Sequence, residues 1–179
     1  MRKILRIFHA PLWTLATTAL FLQGTSWAAA TDVQPDPQLW PAPANREVVL
    51  RIGDGRQVRM LTLADLESLP HYKVKLALIW GERGTFQGVR LNDVLKRYGL
   101  ANSKVLRFSA ADRYTIDINA AEWLRRDPLI ATRFETREIG IRQKGPLRLL
   151  WPDETASLES TRGMLWIWNL VSIKPVTAE

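Results

Sequence analysis

Apolar and polar positions take on a regular period from residue 46 onward. Val48, Leu50 and Ile52 alternate with Val49 and Arg51, a period of two that predicts a strand. Gly53, Asp54 and Gly55 supply a turn, and Val58 and Met60 carry the alternation back, so residues 46–60 read as a hairpin. Thr62-Leu63-Ala64-Asp65 is a helix-start signature, with Leu63, Leu66 and Leu69 at helical spacing until Pro70 ends the element. Residues 72–80 return to a period of two, with Val74, Leu76, Leu78 and Trp80 on one face. Gly81, Gly84 and Gly88 then predict a loop.

Leu91, Val94, Leu95 and Tyr98 predict a helix closed by Gly99. Residues 105–109 and 114–118 predict a second hairpin, and Asn119 opens a short helix that Asp127-Pro128 closes. Residues 129–134 read as a strand, while 135–146 carry no clean period. Leu147, Leu149 and Trp151 alternate with Arg148 and Leu150, which predicts a strand with an outward Arg148. Residues 164–173 are apolar on both faces, the pattern of a central, doubly covered strand. Seven to nine short strands and three short helices, in no strict βαβ order, predict one α+β domain over residues 46–175.

The preceding residues behave differently. Arg2, Lys3 and Arg6 precede an apolar stretch over 7–22, and small residues follow at Ser26, Ala28 and Ala30. That order predicts a signal peptide over 1–28, a mature start near Ala29 or Thr31, and a periplasmic or secreted protein with no membrane span after cleavage. No arginine pair precedes the apolar stretch, so the signal reads as general secretion of an unfolded chain. Residues 29–45 hold four of the ten prolines and predict an extended lead resting on the surface through Leu39 and Trp40.

Composition narrows the chemistry. The 179 residues include no cysteine, which excludes disulfides, thiolate metal ligands and cysteine nucleophiles. Two histidines, His9 and His71, are too few for a multi-histidine metal site. Loss of the leader lowers the net charge from +7 to +4, which does not mark a nucleic-acid binder.

Three motifs and their order carry a resemblance. The first is Thr62-Leu63-Ala64-Asp65-Leu66-Glu67-Ser68-Leu69-Pro70. The second is Phe86-Gln87-Gly88-Val89-Arg90-Leu91-Asn92-Asp93-Val94-Leu95, and the third is Gly145-Pro146-Leu147-Arg148-Leu149-Leu150-Trp151-Pro152. With the Trp-rich end around Trp166 and Trp168, residues 46–173 resemble a compact form of the molybdopterin-binding domain of the sulfite oxidase family. The resemblance implies a mixed sheet or partial barrel with short helices. It also implies a cofactor lying between the loop at residues 80–84 and the Gly145-Pro146-Leu147-Arg148 segment.

One departure stands out. The family's molybdenum-binding cysteine falls on the segment before the second motif, where this chain has Leu76-Ala77-Leu78-Ile79-Trp80-Gly81. No soft thiolate replaces it. The chain is also shorter than the full enzymes, whose cofactor travels inside a folded protein, a route that general secretion does not offer.

The candidate binding residues are therefore cationic or aromatic: Arg148, Lys144, Arg142, Arg83 and Trp80. A planar guanidinium suits phosphate, sulfate or carboxylate. Arg133 and Arg137 extend the basic run, whose alternative reading is a solvated charged face. Asp112, Arg113 and Tyr114 belong to a turn that can share the same end of the sheet. His71 reads as a surface or capping residue, since no nucleophile or third group accompanies it.

These residues predict an exported, non-catalytic binding or sensory module, with no cofactor and no catalytic residue, for a small anionic ligand or a periplasmic or membrane signalling partner. The alternative is a molybdopterin-dependent oxidoreductase that holds its cofactor without cysteine. A weaker option is a hydrolase using carboxylates such as Glu82 and Glu154.

Overall fold

A computed structural model of the chain describes residues 33–78, 81–152 and 165–176. The predicted leader and Glu154 lie outside the described residues.

The first hairpin forms as expected from strands β2 (Val48–Ile52) and β3 (Arg59–Thr62), with β1 (Gln34–Pro35) preceding them in the lead. Helix α1 (Leu63–Leu66) is short and capped on both counts. The Thr62 hydroxyl oxygen accepts from the Asp65 amide at 3.2 Å, and the Asp65 carboxylate accepts from the Thr62 amide at 2.8 Å. Such a box satisfies amides that the first turn leaves without helical partners. Strands β4 (Tyr72–Ala77) and β5 (Arg83–Arg90) follow, then helix α2 (Leu91–Arg97). The second hairpin is β6 (Val105–Ala110) and β7 (Thr115–Asn119), and helix α3 (Ala120–Arg126) leads to β8 (Leu129–Phe134). Strands β9 (Arg137–Glu138), β10 (Arg148–Leu150), β11 (Ile167–Trp168) and β12 (Leu170–Pro175) complete the order.

The strands form two open sheets. The seven-stranded sheet runs β1-β4-β5-β8-β10-β11, with β9 also paired to β8, and the five-stranded sheet runs β3-β2-β12-β6-β7. Neither closes into a barrel among the described residues, and the five-stranded sheet is mixed, since β12 pairs parallel with β2 and antiparallel with β6. One hydrophobic cluster draws on both sheets and all three helices, including Leu50, Phe86, Leu95, Phe108, Trp123, Leu149 and Ile173. That makes a single sheet-rich domain with few helices. The five-stranded sheet carries a row that is exposed or half-exposed and mostly polar, Met60, Arg51, Ser172, Ser109 and Thr115, directly opposite one another across the strands. This is the pattern of an antiparallel-rich sheet with one wet face.

Three expectations need correction. Gly84 and Gly88 do not mark a loop but lie inside β5. A Cβ at Gly88 would stand 2.0 Å from the Ile130 carbonyl oxygen, and one at Gly84 would stand 2.7 Å from the Phe134 ring. These glycines let a strand approach its neighbour closely, a role that sequence does not separate from turn chemistry.

The closing apolar segment is not one central strand. It breaks at Asn169, which has φ 49°, and passes from the end of one sheet at β11 to the middle of the other at β12. Each half belongs to a different sheet, β11 at an edge and β12 in the interior.

Finally, Leu39 is 94% exposed and does not anchor the lead. Polar groups hold it instead. The Asp36 carboxylate accepts from Gln87 Nε2 at 2.8 Å and from Trp40 Nε1 at 3.1 Å, and Trp40 stacks on His71 at 3.7 Å between ring centres. His71 is thus a fastening residue, its Nε2 lying 2.7 Å from the Glu67 carbonyl oxygen.

Candidate anion-binding site

Strand β10 is held between β8 and β11, which pairs Arg148 with Ala131 on one side and Trp168 on the other. Ala131 in turn pairs with Gly88. Directly opposed residues share a face, so small residues adjoin Arg148 along that row. The guanidinium lies 5.1 Å from the Phe86 ring centre. The expected outward Arg148 is corrected: the residue is 1% exposed, because strands on both sides and the Phe86 ring enclose it.

A buried guanidinium requires a counter-charge. It comes from Glu82, at the tip of the β4–β5 hairpin, where Leu78 N donates to the Glu82 carbonyl at 2.7 Å. Arg148 Nη2 donates to Glu82 Oε2 at 2.9 Å. Lys144 Nζ lies 3.9 Å from the same oxygen and 4.0 Å from the Trp168 ring centre. Lys144 sits at φ 65° after a 3-10 turn over Ile141–Gln143, and its carbonyl accepts from Asn169 N at 3.0 Å. Gly145 follows because a Cβ there would stand 2.1 Å from the Ile139 carbonyl oxygen. The local chain path is therefore fixed by close backbone contacts on both sides of the site.

The structure thus brings together Arg148 and Lys144 from the predicted set, and adds Glu82. Arg83 opens β5 opposite Ala77 and is exposed, as is Arg142 on the 3-10 turn. Neither pairs with Glu82 among the described residues. Trp80 lies outside the described residues. The hairpin tip at Asp112, Arg113 and Tyr114 is nearby through main chain: Ala111 N donates to Asn169 O at 3.0 Å. Burial pushes the Tyr114 hydroxyl above its usual range.

Arg133 leaves the basic run altogether. It is buried and doubly bonded to Glu67, with Nε–Oε1 at 2.9 Å and Nη2–Oε2 at 2.8 Å. The run is therefore neither one solvated face nor one ligand patch. Asp36 and Gln87 are the polar residues that sequence reasoning passed over. A carboxylate between two prolines and an amide inside an apolar motif were the available signals.

A separate open groove of about 350 Å³ lies between β2 and β12, lined by Val48, Val49, Leu50, Arg51, Val171 and Ser172. It shares no residue with the Arg148 group.

The domain is sheet-built and carries a buried arginine on the Gly-Pro-Leu-Arg strand. The oxidoreductase molybdopterin binding domain family matches residues 40–160, and the chain belongs to that family. No curated protein matches the chain. The family normally binds molybdopterin, so the donor set can be compared with that cofactor. The chain has no cysteine, and no group of three or more His, Cys, Asp or Glu suited to a metal occurs among the described residues. The residues do not fit a thiolate-ligated molybdenum; what they offer is two cations, Arg148 and Lys144, each beside an aromatic ring.

Proposed function

We propose that this chain is an exported, non-catalytic member of the family that holds a small anion at Arg148 and Lys144, in a periplasmic binding or sensory role. The carrying observation is the nearly complete burial of Arg148 on β10, between β8 and the edge strand β11, beside a second cation, in a chain with no cysteine. Export is supported by the charged–apolar–small order of residues 1–30. A rigid strand positions a guanidinium for oxyanion contact without the ordering cost that a surface arginine bears.

Two measurements test this reading. Calorimetry at low salt should show pyrophosphate binding that Arg148→Ala weakens at least about tenfold, the scale of one charge-assisted hydrogen bond. Arg148→Lys, which retains the charge, guards against loss through misfolding and should lose less. Equal affinity in wild type and both variants places no anion site here. Metal analysis of protein purified from its native compartment addresses the cofactor: about one molybdenum per chain would overturn the reading in favour of an oxidoreductase.

A further inference from the structure

We infer that Glu82 is a tethered occupant of the Arg148 site, and that the site accepts ligands whose acidic group carries at least two negative charges, of the phosphate or pyrophosphate kind. This rests on the anion-site reading above.

The first support is a contrast between two buried arginines. Arg133 meets Glu67 at two points, the geometry that a guanidinium and a carboxylate favour. Arg148 meets Glu82 at one point, and its buried Nε has no hydrogen-bond partner among the described residues. Glu82 therefore neutralises Arg148 without saturating it. An oxyanion with more acceptor oxygens can engage the Nε donor as well.

The second support is position. The Glu82 side chain is 31% exposed and sits on a hairpin tip, whereas the Arg148 side chain is 2% exposed on a strand paired on both sides. Gly81, at φ 89°, precedes it, and nothing lies within 4 Å of a Cβ built there. The carboxylate can leave toward solvent while the guanidinium stays in place.

Charge then sets the ligand class. Arg148 and Lys144 bring two positive charges to one carboxylate oxygen. Replacing Glu82 by a free monocarboxylate exchanges like for like, against a tether whose effective concentration is on the order of millimolar. A dianionic group gains attraction from both cations and can compete. Glu82 thus acts as a specificity residue that rejects single carboxylates.

The test uses the purified full chain with inorganic pyrophosphate as probe and acetate as the monoanion control. Calorimetry at low ionic strength compares wild type, Glu82→Ala and Glu82→Gln, with melting curves to establish folding. Glu82→Gln keeps the shape should the alanine variant fail to fold. Pyrophosphate should bind the Glu82 variants at least about tenfold more tightly than wild type. Acetate should raise the melting temperature of Glu82→Ala and leave wild type unmoved. The gain should vanish in Glu82→Gln/Arg148→Ala, which removes the guanidinium charge.

Variants that bind no better than wild type, while wild-type binding still depends on Arg148, would make Glu82 a structural brace; the inference falls and the anion site stands. Folded variants and wild type that all ignore pyrophosphate would remove both. A gain that survives the Arg148 change would place the ion elsewhere and overturn the inference.

Discussion

Glu67 and Arg133 form a two-point ion pair between side chains that are 5% and 3% exposed, and Thr132 Oγ1 donates a further bond to Glu67 at 2.7 Å. The same guanidinium reaches the Pro41 carbonyl at 2.8 Å. One pair thereby joins helix α1, strand β8 and the proline-rich lead. Removing one partner leaves a buried charge without compensation, which costs about 3–5 kcal/mol. Glu67→Ala and Arg133→Ala should each lower unfolding free energy by that order in urea titrations. A double change to Glu67→Leu and Arg133→Met should recover much of the loss, because the desolvation cost disappears with the charges. A double variant as unstable as the sum of the singles would show that the lead contacts, not the ion pair, dominate.

Gly88 gives a sharper steric expectation. Its built Cβ meets the Ile130 carbonyl oxygen at 2.0 Å and the Ala131 α carbon at 2.7 Å, and both belong to backbone that cannot rotate away. Gly88→Ala should therefore cost at least about 1–3 kcal/mol, the range for overpacking, and displace β8, which carries Ala131 beside Arg148. Gly140→Ala is the control: its φ is −71°, and the nearest atom to its Cβ is 3.8 Å away. Thermal melts that rank the two alike would mean β5 and β8 can separate more easily than their pairing suggests.

Most local structure was legible in the chain because local chemistry decides it. The Thr62–Asp65 box, the two hairpins and the leucine spacing of α2 are each fixed by residues a few positions apart. The misread positions depend on partners distant in sequence. Gly84 and Gly88 looked like turn residues because the strand they approach lies more than forty residues on. Arg148 looked outward because alternation next to leucines implies one wet face, yet β10 is covered on both. Of the candidate residues, Arg148 and Lys144 come together at one oxygen of Glu82. Glu82 as counter-ion could not be read from spacing, because hairpin and strand are joined only in the folded sheet.

Acid should loosen the lead. Burial works against the Asp36 charge, but bonds from Gln87, Trp40, the Gln38 amide and Lys73 together hold its carboxyl below the usual range. A carboxyl depressed in the folded state contributes stability above its unfolded value, about 3.9, and loses it as pH falls through the folded value. The difference in stability between wild type and Asp36→Asn should therefore be constant above about pH 5 and shrink below about pH 4. Melting temperatures of the two proteins across about pH 3–6, one unit beyond each of those limits, provide the check. A gap that stays constant to the acid end would show that the Asp36 charge contributes nothing to the fastening.

Asn169 is where the chain changes sheets, and its backbone is used on both sides. Its amide donates to the Lys144 carbonyl and its carbonyl accepts from Ala111 N, each at 3.0 Å. A left-handed φ of 49° suits asparagine or glycine and penalises other residues by roughly 1–2 kcal/mol. The Oδ1 atom is buried with no hydrogen-bond partner among the described residues, so the side chain contributes little beyond allowing this conformation. Asn169→Gly should accordingly be close to neutral, since it keeps the φ and relieves a buried acceptor. Asn169→Val should cost about 1–2 kcal/mol or more, because a β-branched residue tolerates that region least. The strained variant should also loosen Lys144 and weaken pyrophosphate binding, while the glycine variant should bind as wild type does. Paired melting and calorimetry on the two variants decide this. Weaker binding in Asn169→Gly than in Asn169→Val would mean that the amide side chain, and not the backbone turn it permits, sets the position of Lys144.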